Sequence, residues 1–222
     1  MVEQKFEELC VEGSTPSLGT IMKELLNLKP RQSPNLEKLV SIAHRVMSCQ
    51  DCELCHTRAN SVPGGGSPDA KILFVGEAPG EEEDKQGAPF IGKAGQLLNE
   101  GLRLAGIQRD EIFITNAVKC RPPGNRNPSD VETEACSKYL KEQLEILKPE
   151  LVVVLGKVAA EYLLCREVKI TKENGKLDFL DDGTAVLMVL HPAYVLRNQV
   201  EEVKKAFFDA LKQAKELVSE ES

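Results

Sequence analysis

Apolar residues recur along this chain with two different periods. Leu36, Leu39, Val40, Ala43 and Val46 fall at helical spacing and open a compact region near Asn35. Downstream, four short runs are apolar almost without interruption: KILFVG (71–76), EIFITN (111–116), LVVVLG (151–156) and AVLMVL (185–190). Runs of that length, bounded by Gly, Pro and Asn, predict strands covered on both faces. Between them the helical period returns, over 93–105 and from Ser129 to near Leu147, where Ser129 and Glu132 have the spacing of a capping box. Residues 156–164 predict a short helix. Val200, Val203, Phe207, Ala210, Leu211 and Ala214 predict an amphipathic one at the end. A hairpin is expected over 168–180, turning at Glu173-Asn174-Gly175, and a loop over Pro63 to Pro68. Strands alternating with helices make an α/β fold, a three-layer αβα sandwich around a central, mainly parallel four-stranded sheet.

Residues 1–34 read as an N-terminal extension, cut by Ser14-Thr15-Pro16-Ser17 and by Pro30 and Pro34, with a helix expected near 18–28. Residues 35–222 read as the functional domain. No run of about 18 apolar residues predicts a membrane span, and the acidic start MVEQKFEELC is unlike a signal peptide, so the expected location is the cytoplasm.

In parallel sheets, ligands bind beyond the carboxyl ends of the strands. Each of the four strands ends in a polar or Gly-containing motif: Glu77-Ala78-Pro79-Gly80, Asn116 followed by Lys119-Cys120-Arg121-Pro122, Gly156-Lys157, and His191-Pro192. Four such motifs on one rim indicate a single site. Glu77 could orient a water nucleophile or brace a loop. The acidic run 81–84 reads as a solvated face or a helix N-terminus. Phe90, between Pro89 and Gly92 on a loop, is either a wall on which a flat base stacks or an anchor into the core. Asn116 carries a donor and an acceptor on one planar group, matching a pyrimidine edge with a carbonyl beside an N–H, though Asn also forms turns. His191 could donate to an anionic leaving group or be structural. Leu196 and Arg197 could wedge and clamp a duplex.

Net charge is −7, which argues against nucleic acid as a partner because phosphate affinity comes from Lys and Arg. The acids are concentrated at 81–84, 181–182 and 216–221, however. Lys119, Arg121 and Arg126 lie close together, and Lys93, Lys157 and Arg197 stand in other motifs, so a local basic face is expected. The chain has seven cysteines, an odd number and high for a reducing compartment, which favours metal or cluster ligation over disulfides. Cys10 and Cys165 stand alone and read as core residues. Cys49-x-x-Cys52 with distant Cys120 and Cys136 offers four thiolates. A lone C-x-x-C leans toward iron–sulfur over a zinc ribbon, but Cys55 and His56 leave a zinc set open.

Six stretches together resemble the family-four uracil-DNA glycosylases, the thermophile and archaeal type with a 4Fe–4S cluster. They are Cys49-x-x-Cys52 with Thr57-Arg58, GEAPGEEEDKQGAPFIGKAGQLLN (76–99), FITNAVKCRPPGNR (113–126), Cys136, LGKVAAEYLL (155–164) and HPAYVLRN (191–198). The resemblance spans roughly 45–200. It implies that Cys49, Cys52, Cys120 and Cys136 hold the cluster, with Cys55 outside the ligand set. It places Glu77 in the water-handling motif beside Ala78, Phe90 on the flipped uracil, Asn116 on the uracil edge and His191 on the departing anion through O2. The 194–198 loop enters the DNA, and Lys93, Arg121, Arg126 and Arg197 are expected to hold phosphates. Position 78 is Ala where many members have Gly and family one has a catalytic Asp, which shifts the chemistry toward leaving-group stabilisation. Arg121 to Arg126 lacks the histidine of the covalently trapping subgroup, and Glu77 argues against family five. The implied protein is a monomeric, monofunctional glycosylase acting on uracil in DNA. A non-catalytic DNA-damage sensor and a zinc-bound nucleotide module are the rival readings.

Overall fold

The computed structural model describes residues 33–198 and 200–219; the helix expected near 18–28 and Cys10 lie outside them. Helix α1 (Pro34–Ser48) leads through a 3₁₀ turn (Glu53–His56) to strand β1 (Gly65–Gly66). Then follow β2 (Ile72–Gly76), α2 (Glu81–Gln86), α3 (Lys93–Leu104), β3 (Phe113–Asn116), α4 (Asp130–Leu147), β4 (Leu151–Leu155) and α5 (Lys157–Leu164). The chain finishes with α6 (Ile170–Glu173), β5 (Leu177–Phe179), β6 (Ala185–Val189), α7 (Pro192–Arg197) and α8 (Glu201–Ser219).

The four predicted strands are the parallel centre of one sheet, ordered β1-β3-β2-β4-β6-β5, to which β1 and β5 add short antiparallel edges. Alternation along the strands builds two cores. Ile72, Phe74, Val153 and Leu187 face α3 and α8, packing on Leu98, Leu102, Phe207 and Leu211. Leu73, Val75, Val152 and Met188 face the other way, onto Leu39, Leu140, Ala159 and Ala160. This is the expected three-layer sandwich. Every residue of β2 and β4 is buried, which is why those runs show no alternation in sequence. The capping box at α4 forms as predicted, Ser129 Oγ accepting from Glu132 N and Glu132 accepting from Ser129 N.

The hairpin expected over 168–180 is not formed. Residues 170–173 are helical, and β5 pairs instead with the later strand β6. Asn174 explains the difference: it donates to Ala206 O at 3.0 Å and accepts from Leu190 N at 2.9 Å, so the presumed turn is tied to α8 and to the end of β6. Cys165 is not a core residue either; it is exposed at the C-terminus of α5 with a left-handed φ of 50°. Among the described residues no helix is long and apolar enough to cross a membrane.

Candidate active site

Strand β2 lies between β3 and β4, so the order of the chain reverses beside it, and a crevice opens at such a switch point. All four predicted strand ends meet there. Glu77, Asn116, Gly156 and His191 line one cavity of about 440 Å³, together with Ala78, Phe90, Tyr194 and Arg197.

Asn116 forms the floor. It ends β3 opposite Gly76, is 1% exposed, and its buried Oδ1 has no hydrogen-bond partner. A buried acceptor left unmatched costs about 1–3 kcal/mol; in a cleft wall it stands ready for a ligand N–H. Its main chain is fixed from behind. Lys119 Nζ donates to Asn116 O (2.7 Å), Thr115 Oγ1 (2.6 Å) and Gln143 Oε1 (2.8 Å). Lys119 is therefore not part of a basic face. It is 1% exposed, and burial lowers its pKa to about 8.

Phe90 forms a wall. Its ring centroid lies 6.1 Å from that of His191, tilted by 38°. Its backbone is left-handed, with φ 52°, a conformation costing an aromatic residue on the order of 1–3 kcal/mol. It also packs in the α3/α8 core, so wall and anchor are one residue. Gly76 makes room for this arrangement: a Cβ there would lie 2.6 Å from Phe90 Cζ and closer still to Asn116 Oδ1.

His191 precedes α7, and its Nδ1 accepts from Ala193 N at 3.1 Å. Burial, then the nearby Arg197 charge, lowers its pKa to about 4, so the ring is neutral at pH 7. With Nδ1 occupied as an acceptor, the ring proton sits on Nε2. Gly156, at φ 94°, permits the approach of His191: a Cβ there would lie 2.9 Å from His191 Cβ. Burial raises the Glu77 carboxyl above the ordinary carboxylate range, which suits a group that handles protons.

Around the rim, Arg197 lines the cleft and Leu196 is 41% exposed beside it. Lys93, exposed in the first turn of α3, shares an adjoining groove with Leu196. Arg121 donates from Nε to Asn125 Oδ1 at 2.7 Å. Arg126 is already engaged, its guanidinium forking onto Glu132 at 2.8 and 2.6 Å and holding that carboxyl at a pKa of about 2.

Cys49, Cys52, Cys120 and Cys136 come together on one apolar cluster containing Ile42, Val46, Leu54, Val118 and Tyr139; Cys55 is not part of it. All four are free thiols. Two donors face their sulfurs: Arg58 Nη1 lies 2.8 Å from Cys120 Sγ, and Lys119 N lies 3.2 Å from Cys136 Sγ. Burial pushes the Cys120 thiol up to about 11.

Residues that sequence reasoning did not assign also shape the site. The acidic run 81–84 does begin a helix, but Glu83 and Asp84 are buried rather than solvated. Asp84 accepts from Ala59 N at 3.0 and 3.2 Å, joining α2 to the segment after the cysteine turn. Glu83 and Arg109 grip the Phe90 loop. Nothing in the sequence separates Glu83 from its three acidic neighbours.

A family model described as the uracil DNA glycosylase superfamily matches residues 63–215. The chain is 43% identical over 187 residues to a protein of Thermotoga maritima described as a type-4 uracil-DNA glycosylase, covering 83% of this chain and 97% of that one. Proteins of Sulfurisphaera tokodaii and Archaeoglobus fulgidus with the same description are 42% and 41% identical. Those matches cover 82% and 78% of this chain and 86% and 91% of the relatives.

Proposed function

The chain belongs to the uracil DNA glycosylase superfamily, and on that premise we propose that it is a type-4 enzyme that hydrolyses the N-glycosidic bond of an extruded deoxyuridine in DNA. The observation carrying this reading is the unpartnered, buried Asn116 Oδ1 beside the Phe90 ring and the His191 donor.

The uracil leaves the stack at a cost of a few kcal/mol, least for mispaired or single-stranded bases. Phe90 stacks on it, worth ~1–3 kcal/mol. Asn116 Oδ1 accepts from N3–H while its amide donates to O4. Cytosine offers a bare N3 and an amino group at those places, so both contacts become mismatches. As the C1′–N1 bond breaks, the bonding pair moves onto the base, and His191 Nε2–H donates to the O2 that gathers the charge. Water beside Glu77 adds its oxygen to C1′, and its proton passes to the carboxylate or to solvent. Ala78 supplies no second carboxylate, so leaving-group stabilisation carries most of the acceleration. With Arg126 held by Glu132, phosphate contacts rest on Lys93, Arg121 and Arg197, and Leu196 is the wedge.

The four clustered thiols fit a 4Fe–4S cluster: four sulfur donors in one apolar setting, with Arg58 and the Lys119 amide facing the sulfurs as partners for thiolate charge. Such a cluster would supply the bonds tying the 49–52 segment to 120 and 136, next to the strand end that carries Asn116. The purified protein is expected to be brown, and Cys136→Ser to lose the colour and melt at lower temperature. A colourless protein containing zinc would instead support the nucleotide-module reading.

Activity is tested by alkali cleavage of oligonucleotides carrying U opposite G, U opposite A, single-stranded U, and a cytosine control. Cleavage confined to uracil is expected; an intact brown protein that cleaves none would favour a damage sensor. Gly76→Ala is expected to lower excision about 100-fold, since a misplacement of about 1 Å can cost that much, with its melting curve showing a retained fold.

A further inference from the structure

Resting on the reading that Phe90 stacks on the flipped base, we propose that Glu83 is a positioning residue that presents Phe90 to uracil, with Arg109 as its counterpart. Glu83 is buried, and its Oε1 accepts from Ile91 N at 2.9 Å and from Gly92 N at 2.8 Å, the two amides that follow Phe90. On the other side, Arg109 Nη2 donates to Pro89 O at 2.7 Å, the carbonyl that precedes it. Arg109 is itself fixed to α3 through Asn99 Oδ1 at 2.6 Å. The chain on both sides of Phe90 is thus held by a charged side chain.

Phe90 itself adopts the left-handed backbone, with φ 52°, which a bulky residue leaves unless its surroundings hold it there. The grip supplies that constraint. Two nearby glycines make room for it. A Cβ at Gly95 would collide with the Phe90 carbonyl, and one at Gly80 would sit 2.7 Å from Glu83 Oε2. Without the carboxylate the loop relaxes, and the ring leaves the plane that a base needs. Because a single oxygen accepts both amides, the role calls for an acceptor at that point and does not require a negative charge.

The test is a double-mutant cycle on single-turnover excision of uracil, using Glu83→Ala, Phe90→Ala and the pair. Each single variant is expected to lose roughly tenfold to a hundredfold, the range for one base stack, and the pair no more than Phe90→Ala alone. Glu83→Gln, which keeps the accepting oxygen, is expected to recover most of the rate lost in Glu83→Ala. Affinity for uracil-free DNA should not change, because the lost step is holding the flipped base. Losses that multiply in the pair would overturn the proposal, meaning that Glu83 acts on substrate or on the fold by another route. A Gln variant as weak as Ala would overturn the acceptor role. If Phe90→Ala alone has no effect while wild type excises uracil, the stacking reading fails and the proposal fails with it. Should Glu83→Ala not fold, Arg109→Gln releases the same loop from the other side and must show the same non-additivity.

Discussion

Replacing Asn116 by Asp is expected to lower kcat/KM for uracil in DNA about 100-fold or more and to shrink the preference over cytosine. Among the described residues Asn116 is the buried side chain lining the cleft whose acceptor is unmatched, and that acceptor is the one proposed to bond the ligand. The carboxylate keeps an acceptor for N3–H but loses the donor to O4 and sets two oxygens against each other in a buried site. A mismatch involving a buried charge costs ~3 kcal/mol or more, which is roughly two decades in rate. The same carboxylate can accept from the amino group of cytosine, so uracil gains a mismatch while cytosine loses one of its two, and the preference narrows. The measurement is single-turnover excision on matched uracil and cytosine oligonucleotides. Full activity with unchanged selectivity would remove Asn116 from the recognition of the base.

The second large effect is at His191. Replacing it by Ala is expected to reduce the single-turnover rate about 100- to 1,000-fold, the usual cost of removing one donor to a developing anion, with little change in DNA affinity. The pH dependence carries a sharper sign. His191 titrates near 4 and so remains a neutral donor throughout the neutral range; the rate should not fall as pH rises through the ordinary imidazole value near about 6.5. Glu77 is raised instead, so activity is lost as pH falls through a carboxyl value above the ordinary carboxylate range. That acid limb should persist in His191→Ala and disappear in Glu77→Gln. A limb near the imidazole value that vanishes with His191 would mean that the charged ring is the working form.

Much of this arrangement is legible in the sequence because two strong local signals coincide. Fully apolar runs mark buried parallel strands, and the polar residue that ends each run marks the rim, so Glu77, Asn116 and His191 could be placed together before any contact was known. The edge strands were less visible. Gly65-Gly66 has the composition of a loop, and Leu177–Phe179 pairs through hydrogen bonds that Asn174 sets by reaching α8 and β6. Lys119 was misplaced because a lysine among arginines looks like a phosphate contact. Only the fold shows three acceptors converging on its ammonium. Glu83 was hidden in an acidic run whose members differ only in what tertiary structure brings to them. Local pattern thus brought the candidate residues to one cleft, while the groups that hold them in place depend on contacts distant in sequence.

The most direct measurement is excision of N3-methyluracil against uracil in otherwise identical single-stranded oligonucleotides, where base pairing plays no part. The methyl group removes the N–H proposed to meet the buried, unpartnered Asn116 oxygen and adds bulk in its place. A site built to bond a particular N–H rejects the analogue lacking it by large factors, so discrimination of at least about 1,000-fold is expected. Excision of the two bases at similar rates would contradict the assignment of that oxygen to uracil and, with it, the reading of the cleft.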